Sequence, residues 1–222
     1  MAFEPEIIRK AQKHLRKSDV VMKKIIADAG PFNLKIERNR FWMLVRSIIS
    51  QQISVGAARS IRNKFESVLG DGGKTPERIL SLRSRQLRSA GLSPQKIKYI
   101  TDLAQKADDG TIHLKNIGRK SDEEIIKELI QVKGIGRWTS QMFLMFSLGR
   151  LDVFPSDDLG IKNAIQSRYG LRKPPNEKML NSISSAWRPF ATVACWYCWR
   201  SLDVDRGNQI LTKGSHHRVT AI

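Results

Sequence analysis

The sequence predicts an all-α protein, and three observations carry that expectation. Apolar residues recur at helical spacing, capping residues and prolines stand where helices would begin, and no stretch alternates apolar and polar residues as a half-buried strand would. The segment RFWMLVRSIISQQIS (40–54) has apolar residues at 41, 44, 45, 48 and 49, the stripe of one helix face. A second helix is expected over 55–69, ending at Gly70 before the turn-rich DGGKTP. Short helices follow at 76–81 and 84–89, the latter stopped by Gly91. Residues 93–108 open on SPQK, with Ser93 as cap and Pro94 at the first helical position. SDEEIIKELI (121–130) has a capping box, Ser121 with Glu124 three residues on. Residues 137–148 are apolar almost all round, as in a central buried helix, and further helices are expected at 158–168, 176–186 and 187–201. The final DRGNQILTKGSHHRVTAI (205–222) has weak periodicity and reads as a loose basic tail.

Composition narrows the function. Apolar residues make up 41% of 222, enough for a real core. Lys and Arg outnumber Asp and Glu 39 to 21, a formal charge of +18, and such a surplus points to a polyanion because each cation that meets a phosphate releases counterions. The N-terminal MAFEPEIIRK has charges where a signal peptide needs an apolar core, and no stretch approaches the ~20 apolar residues of a membrane span. Two cysteines argue for a reducing compartment, hence an intracellular protein of the cytoplasm or nucleoid, or of a eukaryotic nucleus.

Between the expected helices 121–130 and 137–148 lies VKGIG, a turn with glycines at 134 and 136. Glycine admits backbone conformations closed to other residues, and N–H groups at the start of the second helix favour an anion. Lys133 and Arg137 flank that position and Thr139 follows, so Lys133, Gly134, Gly136, Arg137 and Thr139 form a candidate phosphate-binding set. Built mainly from backbone, it would be blind to base sequence. The plain alternative is a glycine-rich connection between two helices. Farther on, DVFPSDDLGIKNAI (152–165) places Asp157 and Asp158 where a helix opens. Neighbours on a helix point about 100° apart, so one carboxylate can cap while the other faces a cleft.

LIQVKGIGRWTSQMF resembles the helix-hairpin-helix motif, with Leu129, Val132, Gly134, Ile135 and Gly136 at its positions. A hairpin followed about twenty residues later by an aspartate, together with SQQISVGAARSI (50–61) and WRPFATVACWYCW (187–199), resembles the helix-hairpin-helix (HhH-GPD) DNA glycosylase superfamily. The likeness is nearest to the 3-methyladenine DNA glycosylase II branch and runs over residues 35–200. It implies two helical subdomains flanking an active-site cleft, residues 1–35 with 160–222, and 36–159 carrying the hairpin (121–148). It also implies a monomer on damaged duplex DNA, hydrolysing the N-glycosidic bond of alkylated purines such as 3-methyladenine and 7-methylguanine. No iron–sulfur cluster and no cofactor are expected, apart from a monovalent cation on hairpin backbone carbonyls.

By the family pattern the catalytic carboxylate is Asp158, and Asp157 is expected to be the helix cap. A fixed anion there would stabilise the oxocarbenium-like charge that builds as the base leaves. Bifunctional members carry a lysine two positions after the second hairpin glycine; here that residue is Trp138, so water is the expected nucleophile. Trp138, Met142 and Trp199 match base-pocket positions, where an electron-rich ring suits a cationic alkylated purine. The competing reading makes both tryptophans core. The family's intercalating wedge falls on Gln52, with Gln51 beside it, and fills the gap left by a flipped nucleotide. Cys195 and Cys198 form a CxxC, but His216 and His217 are adjacent rather than zinc-spaced, so no metal is expected. Two alternatives stand beside the main reading: a glycosylase for other damaged or mismatched bases, and a non-catalytic DNA-binding hairpin module.

Overall fold

The computed structural model describes residues 3–213. Those residues form twelve α-helices and no strand: α1 Pro5–Ser18, α2 Val20–Ala29, α3 Arg40–Ser50, α4 Val55–Leu69, α5 Pro76–Leu80, α6 Ser84–Ser89, α7 Pro94–Asp108, α8 Asp122–Leu129, α9 Arg137–Phe146, α10 Leu159–Arg168, α11 Glu177–Ser185 and α12 Ala191–Lys213. Local chemistry starts most of them. Asn39, Ser54, Thr75, Ser93, Ser121 and Asn176 each accept a first-turn N–H, and Pro5, Pro76 and Pro94 occupy first helical positions where a missing donor costs nothing.

Two helices differ from expectation. The 40–54 helix stops at Ser50, because Gln52 takes a left-handed φ of 58° and Ser54 turns to cap α4. The final helix starts at Ala191 rather than 187, after Pro189, which has no N–H to contribute. It continues to Lys213 through the first half of the segment expected to be a loose tail; residues 214–222, with His216 and His217, lie outside the described part.

The chain divides into two compact units, one made of its two ends, up to Ile36 and from Gly149 onward, the other of Glu37–Leu148. The division after the hairpin thus falls at 148/149, where the sequence reading put 159/160. In the terminal unit α12 is the axis, with Val193, Ala194, Cys195, Tyr197 and Cys198 fully buried. Asp19 ties this unit together: it caps α2 through the N–H groups of Val21 and Met22, and accepts from Trp187 Nε1 at 2.9 Å and from the Tyr169 hydroxyl. In the central unit Leu44, Val45 and Ile48 of α3 are buried among α4, α7 and α9. Gln12 Nε2 donates to Tyr197 Oη in the first unit, and Arg40 Nη1 to the carbonyls of Leu114 and Lys115 in the second.

Candidate functional site

In the terminal unit the feature of interest is the start of α10. A turn closed by Asp158 N–H on the Pro155 carbonyl (3.0 Å) brings the chain to Asp158, which is 7% exposed. Its Oδ1 accepts the Ile161 N–H at 2.8 Å and Trp199 Nε1–H at 2.9 Å. The cap of α10 is therefore Asp158 itself. Asp157, expected to cap, instead points outward with its side chain 80% exposed, 3.7 Å from Lys162 Nζ. The reason is register: α10 begins at Leu159, so the residue before it holds the cap position. One carboxylate thus carries both the cap and the candidate catalytic role. Trp199, expected as a ring of the base pocket, is half-buried and turns its indole N–H toward this carboxylate.

In the central unit α8, the turn and α9 form the hairpin. Gly134 has φ +81°, and a Cβ there would lie 2.2 Å from Tyr99 Cδ2 of α7, so both backbone and packing demand glycine. Nothing stands within 4 Å of a Cβ placed on Gly136, which opens α9 with no side-chain cap. One glycine is needed for the turn, the other leaves a helix N-terminus open.

The two cations of the candidate set are engaged by carboxylates. Lys133 donates its backbone N–H to Asp102 Oδ2 at 2.8 Å, with its Nζ 3.4 Å from Oδ1, while Lys106 Nζ lies 2.8 Å from Oδ2. Burial alone would raise the Asp102 carboxyl, but hydrogen bonds from Lys106 and the Lys133 N–H outweigh it and hold it below the usual range. Arg137 meets Glu123 in a two-pronged pair of 3.0 and 2.5 Å at the surface, which lowers the Glu123 carboxyl. A DNA phosphate at either cation competes with these partners. Thr139, in the first turn of α9, is buried at 4% exposure.

The two glutamines expected at the wedge are placed differently. Gln52 is exposed on its left-handed backbone, beside the exposed apolar side chains of Ile53 and Val55. Gln51 is not offered as a wedge: its Nε2 donates to the Gly134 carbonyl at 2.8 Å and so links this loop to the hairpin. On the near side Lys96 Nζ caps the end of α3 at the Ile49 carbonyl, 2.6 Å away, and burial lowers its ammonium. Trp138 is 39% exposed, which removes the core reading for it, whereas Met142 is buried. Two hairpin carbonyls accept side-chain donors: Gln131 O from Lys106 Nζ and Gly134 O from Gln51 Nε2. Cys195 and Cys198 are fully buried, and burial pushes both thiols well up, so neither is a ready ligand or nucleophile.

A helical chain with a glycine-bearing hairpin between two helices and a buried aspartate at a later helix N-terminus has the features of a class of DNA-repair protein. The chain belongs to the HhH-GPD superfamily of base excision DNA repair proteins, whose family model matches residues 45–189, and it is an enzyme of the DNA glycosylase class. It is 37% identical over 199 residues to DNA-3-methyladenine glycosylase 1 of Schizosaccharomyces pombe, covering 87% of each chain. A solved structure of the S. pombe 3-methyladenine DNA glycosylase in complex with abasic DNA superposes with a TM-score of 0.79, covering 86% of this chain and 95% of that one. A DNA-3-methyladenine glycosidase from Bacillus halodurans has a TM-score of 0.78 at 33% identity, covering 92% of each chain. Among the described residues no helix is long and apolar enough to cross a membrane.

Proposed function

We propose that the protein excises alkylated purines of the 3-methyladenine and 7-methylguanine type from duplex DNA, as a monomer and by hydrolysis alone. The observation that carries this reading is Asp158, a buried carboxylate held by the first turn of α10 and by an indole N–H. A departing base leaves positive charge on its sugar, and a carboxylate already oriented stabilises that charge without reorganisation. An alkylated purine is itself cationic and leaves readily, so a strong general acid is not needed. The names of the similar proteins support the same substrate class.

Water is the nucleophile in this reading, because Trp138 stands where an attacking amine would be. Its exposed ring stacks on the flipped base, and Gln52 fills the vacated position in the duplex while its amide hydrogen-bonds the orphaned partner base. The open N-terminus of α9 takes a phosphate.

The test compares wild type with Asp158→Asn on methylated duplex DNA, following base release and DNA binding separately. Base release falls by roughly 10²- to 10⁴-fold while binding is retained, since the variant loses a charge that acts mainly in the transition state. Release at near wild-type rate in the variant overturns the mechanism. Wild type that binds but releases no base favours the binding-module reading. On abasic duplex the enzyme leaves the strand uncut and yields no borohydride-trapped adduct; a trapped adduct on a lysine overturns hydrolysis.

A further inference from the structure

We propose that Trp199 is a positioning residue for the Asp158 carboxylate, and that Gly160 supplies the gap through which its indole reaches it. The inference rests on Asp158 being the essential carboxylate. The aspartate's own helix gives one restraint, the Ile161 N–H on Oδ1 at 2.8 Å. That bond is local to the first turn of α10. The second donor on the same oxygen comes from α12, 41 residues later, through Trp199 Nε1 at 2.9 Å. Two donors from different helices orient a carboxylate more firmly than a cap bond alone, because displacing the carboxylate then requires moving α12 as well. That helix is anchored: Cys195, Tyr197 and Cys198, within the turn before Trp199, are fully buried.

Gly160 is the independent observation. It lies inside α10, where glycine is a poorer helix former than alanine, and its backbone does not take the left-handed conformation that would demand glycine. What a Cβ there would meet is the reason for its absence: Trp199 Cδ1 at 3.0 Å, Asp158 Oδ1 at 3.1 Å and Trp199 Nε1 at 3.2 Å. The three nearest atoms are thus those of the hydrogen-bonded pair. The missing side chain makes room for the indole to lie across the first turn. In the sequence-based reading Trp199 is a stacking ring for the base; the geometry ties the edge of that ring to the carboxylate.

The variants Trp199→Phe and Gly160→Ala separate the two roles. Phenylalanine keeps an aromatic face and removes the N–H. Base release from methylated duplex is measured under single-turnover conditions, with DNA binding and thermal midpoint recorded alongside. Trp199→Phe slows the chemical step by roughly tenfold or more while binding changes by less than about twofold, as expected when a charged acceptor loses a donor. Gly160→Ala slows the same step several-fold while DNA binding changes by less than about twofold, because its Cβ, about 3 Å from the indole, displaces it from the carboxylate. A slower chemical step with unchanged binding is one a merely structural role does not produce. In the Asp158→Asn background Trp199→Phe adds no further loss. A Trp199→Phe rate within about twofold of wild type, or a loss confined to binding, overturns the positioning role and leaves Asp158 in place. Asp158→Asn at wild-type rate overturns both.

Discussion

At the start of α10 the first-turn N–H groups meet a side chain of their own, Asp158, while at the start of α9 they meet Gly136 and no side-chain cap. Both ends carry the same partial positive charge. The α10 end has a resident anion, only 7% exposed and held by a second helix. The α9 end has a glycine with nothing within 4 Å of its missing side chain, flanked by cations that carboxylates hold in place. In the proposed function one terminus supplies a negative charge to the reaction and the other receives one from DNA. The difference lies in a single position, the residue before the first helical one.

Changes at the hairpin test that contrast. The largest effect is expected from Gly134→Ala, which combines a left-handed φ with a Cβ 2.2 Å from Tyr99. Strain and overpacking together cost roughly 2–4 kcal/mol, read as a lower urea midpoint at constant slope, with DNA affinity falling in parallel. Next is Gly136→Asp, which gives α9 the arrangement of α10. Stability rises by a few tenths of a kcal/mol from the new cap, while DNA affinity drops about tenfold and the salt dependence weakens by about one phosphate contact. Unchanged affinity in this variant breaks the comparison, because the α9 terminus would then not be the phosphate site.

The smallest effect is expected at Asp102. Its carboxyl is held below the usual range, so its contribution to stability is present above the unfolded value near pH 4 and is lost as pH falls through the lower folded value. Asp102→Asn costs about 1 kcal/mol near pH 7, and the gap between variant and wild type closes in acid. A gap that stays constant down to pH 2 rules out the Asp102 charge as the lock on the hairpin loop.

Much of the candidate site was legible because its signals are local. The capping box at Ser121, the spacing of Gly134 and Gly136, and the lack of a lysine at 138 are short-range patterns. Choosing between Asp157 and Asp158 as cap was not possible locally, since either carboxylate can cap and only the start of α10 decides. The two adjacent glutamines posed the same problem: they share one chemistry, and the backbone at Gln52 turns one outward while Gln51 reaches the hairpin 83 residues away. Asp102, Tyr99 and Lys96 went unnoticed because each acts across the central unit, Asp102 on Lys133 and Lys96 on Ile49 over separations of 31 and 47 residues. Gly160 looked like any glycine early in a helix until an indole was found against it.

The sequence by itself determined most of the helices and their caps, the hairpin turn and the cationic surplus of +18, because each depends on residues a few positions apart or on summed charge. Tertiary structure alone decided which carboxylate is buried, which glutamine is exposed and where the Trp199 indole points. Those outcomes rest on contacts between helices far apart in the chain, and hydrogen bonds of that kind exist only once packing has brought donor and acceptor within about 3 Å.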